Sequence, residues 1–151
     1  MTLHNLDQIY RQAVLDYAQH PHHKAPVTKA DSCQIEQYNS TCGDIIRLAL
    51  TVEHQTIVAC HFDGEGCAIS TASASIMMDL IIAQSLVTTK EQIKLFSRMV
   101  TGDDGDYKML GDAQMLAGVT QFPARVKCAT LPWHALSLLI QQIEGEYCHG
   151  N

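Results

Sequence analysis

Ile45-Ile46-Arg47-Leu48-Ala49-Leu50-Thr51-Val52-Glu53-His54-Gln55-Thr56-Ile57-Val58-Ala59-Cys60-His61-Phe62-Asp63-Gly64-Glu65-Gly66 is the stretch that decides the fold. Ile46, Leu48, Leu50 and Val52 alternate with Ile45, Arg47, Ala49 and Thr51, and Val58, Cys60 and Phe62 alternate with Ile57, Ala59 and His61. A period of two makes one face of each segment apolar, which is the signature of half-buried strands. It predicts two strands joined at Glu53-His54-Gln55, with Cys33 to Tyr38 as a third strand on the sheet edge. After Gly64-Glu65-Gly66 the period becomes helical, with Ile69, Ala72, Ser73, Ile76 and Leu80 on one face and small neighbours that let other backbones approach closely.

On the N-terminal side, Leu6, Ile9, Tyr10, Ala13, Val14 and Tyr17 follow the i, i+3, i+4, i+7 spacing of an amphipathic helix. Asn5 is its expected cap, with Gln8 as capping-box partner, and His20-Pro21 its expected end, because a residue before proline is pushed out of the helical region. On the C-terminal side, Thr88 or Thr89 with Glu91 and Gln92 starts a helix whose apolar face is Ile93, Phe96, Met99 and Val100 and whose stop is Gly102. Asp103-Asp104-Gly105-Asp106 is a loop, a short helix follows around Asp112 to Ala117, and Phe122-Pro123 turns the chain into a last helix reaching about Glu146, with Leu136, Leu139, Ile140 and Ile143 inside. Strands first and helices afterwards predict an α+β fold: a small antiparallel three-stranded sheet with helices packed on one face.

At 151 residues and 46% hydrophobic side chains, the chain has the size of a single domain spanning residues 1–151. Its apolar runs are far shorter than the roughly 20 residues of a membrane span, and Met1 to Gln8 lacks the basic cluster of a targeting peptide. The expectation is a cytoplasmic protein with no membrane partner. A net charge of −6, with 16 acidic against 10 basic residues, argues against nucleic acid, whose phosphates demand a concentrated basic surface. Six cysteines without a secretion signal are metal ligands, reactive thiols or core residues rather than disulfides.

Three of those cysteines stand at element boundaries. Cys42-Gly43-Asp44 falls where the loop after the first strand enters the second; if the backbone is extended there, a thiol and a carboxylate project to one side past a glycine that obstructs nothing. Cys67 lies between Gly64-Glu65-Gly66 and the next helix, where unpaired N–H groups and the helix dipole favour a thiolate. Cys128, near the start of the last helix, has Lys127 and Arg125 close by. Taken alone, Cys42-Gly43-Asp44 reads more simply as a buried cysteine and a turn aspartate, and neither Cys67 nor Cys128 excludes ordinary core packing. Together Cys42, Asp44, Cys67 and Cys128 can converge as a four-ligand set, for which zinc is the natural ion, although no CxxC pair is present. Cys33 and Cys60 in strands, and Cys148 near the tail, read as non-ligands. His20, His22 and His23 form a solvated loop feature, and His61 a hydrogen-bonded structural histidine. No nucleophile elbow, GxGxxG or P-loop occurs.

Ser40-Thr41-Cys42-Gly43-Asp44, Gly64-Glu65-Gly66-Cys67-Ala68-Ile69-Ser70 with Ala72-Ser73-Ala74-Ser75, and Phe122-Pro123-Ala124-Arg125-Val126-Lys127-Cys128-Ala129-Thr130-Leu131 resemble the three cysteine motifs of the IscU-like (NifU N-terminal-like) superfamily, and specifically of its SufU branch. The likeness runs in order over nearly the whole chain. Cluster-building IscU proteins typically carry histidine before the third cysteine, where this chain has Lys127, and a shorter interval than that from Cys67 to Cys128. Ser40 stands where many relatives have proline, and His22-His23 replaces a more usual Arg-Asn.

The resemblance implies a zinc-dependent sulfurtransferase in iron–sulfur cluster assembly. One zinc ion would be held by Cys42, Asp44, Cys67 and Cys128, with Cys42 accepting persulfide sulfur from a SufS-type, pyridoxal-phosphate cysteine desulfurase. A histidine of the desulfurase would take the place that Cys42 vacates, and the sulfur would pass to a SufBCD-type complex. The alternatives are a scaffold that assembles an iron–sulfur cluster on the same residues, and a zinc module that activates the desulfurase by fit alone.

Overall fold

The computed structural model describes residues 3–41 and 43–145, with the backbone alone for residues 3–10. Cys42, Cys148, Glu146 and the expected apolar stripe of Leu6, Ile9 and Tyr10 therefore lie outside the described residues or side chains. The chain runs α1 (Leu3–Gln19), β1 (Gln34–Asn39), β2 (Asp44–Glu53), β3 (Thr56–Glu65), α2 (Ala68–Ile81), α3 (Leu86–Val100), a 3-10 segment (Lys108–Gln121) and α4 (Pro123–Glu144). The three strands form one antiparallel sheet in the order β1-β2-β3. The α+β expectation holds. The inward residues Ile46, Leu48, Leu50, Cys60 and Phe62 are buried, α4 lies against β1 and β2, and α2 touches β3 and is flanked by α1, α4 and the 3-10 segment.

Five details depart from the sequence pattern. Val58 is 43% exposed while Ile57 is fully buried, because Thr51 pairs with Ala59 and Val52 with Ile57. Val58 is thus the extra residue of a β-bulge, which flips the alternation on one side of it. Secondly, α1 already includes Asn5, so that residue is not its cap. Thirdly, α3 begins at Leu86, since Ser85 Oγ accepts the Thr88 N–H at 3.0 Å and caps the helix three residues before Thr88. Fourthly, α2 is buried almost all round, from Ala72 to Met78, rather than on one face. Its alanines and serines let three helical neighbours pack close at once. The 3-10 segment is longer than the helix expected at Asp112 to Ala117 and is broken at Gly111 (φ 51, ψ −129).

The segment between α1 and β1 is pinned to the body. His23 carbonyl accepts the Phe62 N–H and Phe62 carbonyl the Ala25 N–H, both at 3.0 Å, so residues 23–25 cover the open edge of β3. Asp63 accepts the Val27 N–H at 2.7 Å and the Arg47 guanidinium at 2.9 Å. Burial alone would raise its carboxyl, but the bonds from Arg47 and Val27 and the charges of Arg47 and His61 hold it below the ordinary carboxylate value.

Gly64 ends the regular part of β3 with φ +147, and a β-carbon there would lie 2.1 Å from the Ile45 carbonyl oxygen. Only glycine permits this approach, through which β3 delivers the chain to α2. Gly64→Ala is expected to cost at least about 2 kcal/mol in urea unfolding; a midpoint equal to that of the unmodified protein would contradict the close approach.

Candidate metal centre

β1 ends at Asn39 and β2 begins opposite it at Asp44, so Ser40 to Gly43 form the connecting loop. Asn39 holds that loop, its carbonyl accepting the Gly43 N–H at 2.7 Å and its side chain the Thr41 N–H at 3.0 Å. Gly43 has φ +76. The chain therefore turns there in a left-handed conformation, and the extended geometry expected for Cys42-Gly43-Asp44 does not occur.

Asp44 is 4% exposed. A buried carboxylate needs donors, and the entrance to α2 supplies them. Asp44 Oδ1 accepts the Cys67 N–H at 3.1 Å and Oδ2 the Cys67 thiol at 3.4 Å. Gly66 makes room: a β-carbon there would lie 3.3 Å from Asp44 Cγ and 2.4 Å from Ser70 Oγ.

Cys67 is the N-cap of α2, as its place after the glycines suggested, and its sulfur accepts the Ser70 N–H at 3.5 Å. Ser70 Oγ also lies 3.7 Å from that sulfur and donates to the Cys67 carbonyl at 3.1 Å. Nothing in the spacing singled out Ser70 as part of the site. The available signal was its position three residues after a capping side chain. Cys128 arrives from the second turn of α4 and is 6% exposed. Of the two cations expected beside it, Lys127 is exposed, and the Arg125 guanidinium sits 4.7 Å over the Phe122 ring.

The ligand atoms of Asp44, Cys67 and Cys128 all lie within 4.8 Å of one another, the one such group among the described residues. Zn–S bonds of about 2.3 Å put two sulfurs of a tetrahedral centre about 3.8 Å apart, so the span is of the size a shared metal requires. Two thiols and a carboxylate, with Asp44 and Cys128 buried and Cys67 half-buried, form a soft donor set whose negative charge a divalent cation would neutralise.

The remaining candidates lie elsewhere. Cys33 immediately precedes β1 and is buried, its carbonyl accepting the Leu50 N–H. Cys60 is buried in β3 with its thiol donating to the Met78 carbonyl at 3.7 Å. Burial, with a smaller contribution from the charge of Asp79, pushes that thiol up to about 12. His22 Nδ1 and His23 Nε2 meet the two oxygens of Asp79 at 2.5 and 3.0 Å, and His22 N–H donates to Ser75 Oγ at 2.7 Å. The pair therefore clamps the loop to α2, where the sequence suggested only solvated side chains. His61 has the structural partner expected of it, Asp31 at 3.3 Å.

The model of the NifU-like N-terminal domain family matches residues 9–129. The chain is 42% identical over 142 residues to the zinc-dependent sulfurtransferase SufU of Bacillus subtilis, covering 93% of this chain and 95% of the relative. It is 39% identical to the iron–sulfur cluster assembly scaffold protein IscU of Streptococcus pyogenes, covering 94% and 89%. The crystal structure of a putative iron–sulfur cluster assembly scaffold protein for the SUF system, from Fervidobacterium islandicum, superposes with a TM-score of 0.78 at 32% identity, covering 87% of this chain and 96% of the other.

The contrast between Cys60 and Cys67 is testable by alkylation of folded, chelator-treated protein at about pH 8, where reagents attack thiolates. Peptide mapping is expected to find Cys67 modified and Cys60 untouched; modification of Cys60 at a comparable rate would contradict its placement.

Proposed function

The chain belongs to the family of NifU-like N-terminal domains, and from that premise we propose that it is a zinc-dependent sulfur acceptor in iron–sulfur cluster assembly, acting as one domain over residues 1–151 in the cytoplasm. The observation that carries this reading is the convergence of Asp44, Cys67 and Cys128 from three separate elements within 4.8 Å. With Cys42 from the β1–β2 loop as fourth ligand, they would hold one zinc ion. The ion would neutralise the donor set and keep its thiols deprotonated.

Cys42 is the nucleophile in this reading. Its thiolate attacks the terminal sulfur of a persulfide on a SufS-type cysteine desulfurase. A new S–S bond forms at Cys42, the donor S–S bond breaks, and the electron pair leaves on the donor cysteine, so no outside oxidant is consumed. The persulfide then passes to a SufBCD-type complex. The family likeness to the B. subtilis sulfurtransferase supports this course.

Assembly of a cluster on the same four residues is the second reading, supported by the names of the S. pyogenes and F. islandicum relatives. Lys127 favours the acceptor. A lysine ammonium has three donors and no lone pair, so it does not stand in for a histidine nitrogen ligand beside Cys128. Metal analysis with an optical spectrum separates the two: one zinc without visible absorption supports the acceptor, and a brown protein with labile sulfide the scaffold.

Cys67→Ser and Cys128→Ser are expected to lose most of the zinc, and Asp44→Ala to retain a larger share through the three thiolates but to stimulate cysteine turnover far less at equal zinc occupancy. Incubation with cysteine and the desulfurase is expected to add the mass of one sulfur atom at Cys42. Sulfur mapped to Cys33, Cys60 or Cys148 instead would sink the mechanism, and unchanged zinc in both serine variants would sink the ligand set.

A further inference from the structure

The two described thiols of the proposed centre ride on different helices, Cys67 at the start of α2 and Cys128 in α4. α2 is lined from Ala72 to Ser75 by small, fully buried side chains. Small side chains raise only shallow ridges, and apolar contact is non-directional, so such a surface does little to fix how far one helix slides along the other. One residue of slip is about 1.5 Å, whereas a metal site tolerates errors of about 0.2 Å in its ligand distances.

Ser73 supplies a directional contact at this place. Its hydroxyl is fully buried, donates to the Ala129 carbonyl at 2.6 Å and accepts the Trp133 indole N–H at 3.0 Å. Ala129 adjoins Cys128, and Trp133 lies four residues further on the same side of α4, so the two bonds grip α4 at successive turns. The indole is itself held, stacked on Phe96 of α3 with centroids 4.1 Å apart and an interplanar angle of 7°.

We infer that Ser73 is a positioning residue for the metal centre, fixing through the Ala129 carbonyl and the Trp133 indole the axial setting of α4 on α2 and thereby the spacing of Cys128 from Cys67 and Asp44. The inference rests on the reading of those three residues as ligands. Coupling of this kind is reciprocal. Filling the centre must act on the same contact, and Trp133, the one tryptophan of the chain, reports on it.

The test measures zinc affinity of the full chain by competition with a chromophoric chelator, together with the absorption spectrum of the cobalt(II)-loaded protein. Ser73→Ala is expected to fold, to bind zinc about tenfold more weakly or worse, and to shift the thiolate-to-cobalt bands. Trp133→Phe keeps a ring against Phe96 and leaves the Ser73–Ala129 bond, and is expected to lose less affinity. Ile57→Val, a buried change in β3 away from α4, controls for general destabilisation and is expected to leave affinity and spectrum unchanged. Zinc binding by Ser73→Ala within about twofold of the unmodified protein, or an equal loss in Ile57→Val, overturns the inference. Should Ser73→Ala fail to fold, the unmodified protein decides: the Trp133 emission is expected to shift on chelation while far-UV circular dichroism stays folded, and unchanged emission overturns the proposal. Zinc retained by Cys128→Ser overturns the ligand reading itself, whereas zinc lost there but kept by Ser73→Ala overturns this inference alone.

Discussion

The bond from the Cys67 amide to the buried Asp44 carboxylate closes the sheet onto the first core helix. A carboxylate taken out of water must find donors or forfeit several kcal/mol, about 2–7 for an unmatched polar group and more for a charge. Here they come from the entrance to α2, whose positive end suits a negative partner. That demand dictates the path of Gly64-Glu65-Gly66. The chain passes over the Ile45 carbonyl and then beside the Asp44 side chain; a β-carbon at Gly64 would collide with that carbonyl at 2.1 Å, while one at Gly66 would displace the Ser70 hydroxyl at 2.4 Å and crowd the Asp44 carboxyl at 3.3 Å. Gly64 answers to the Ile45 carbonyl, and Gly66 to Ser70 and the Asp44 carboxyl.

Once α2 starts at that point, its small residues determine what can surround it. Burial from Ala72 to Met78 leaves room for α1, α4 and the 3-10 segment on different sides of one helix. α4 gains access to both α2 and the sheet, which is how Cys128, far along the chain, reaches the sulfur of Cys67. The polar chain from Trp133 through Ser73 to the Ala129 carbonyl is the fixed point in this otherwise smooth contact.

Identical side chains acquire different surroundings from such placement. Cys60 is shut inside the core, its thiol pushed up by burial, and has no route to act as a thiolate. Cys67 caps a helix beside a carboxylate and is only half-buried. The histidines divide similarly, with His22 and His23 spent on Asp79 and His61 on Asp31. Asp63, held ionised by Arg47 and the Val27 amide, belongs to the network that ties the long connection after α1 to the outer side of the sheet. No helix among the described residues is long and apolar enough to cross a membrane.

Periodicity by itself indicated the strands and the principal helices: alternation in Ile45 to Thr51 suits a sheet with one covered face, and the glycines before Cys67 mark the passage into a helix, whereas the 3-10 segment read only as a short helix. The three cysteine motifs likewise determined the family. Local spacing could not determine which face a residue shows after a bulge, as Val58 and Ile57 demonstrate, because a one-residue offset is a property of the pairing between two strands. Nor could it show that Gly43 turns rather than extends, that Ser70 and Ser73 matter, or that His22 and His23 share Asp79. Those facts depend on groups separated by up to 60 residues meeting in space. Whether Asp44, Cys67 and Cys128 lie close enough to share an ion was decided by the packing of α4 on α2 and the sheet, since proximity between distant parts of a chain is set by burial and directional bonds and leaves no trace in spacing.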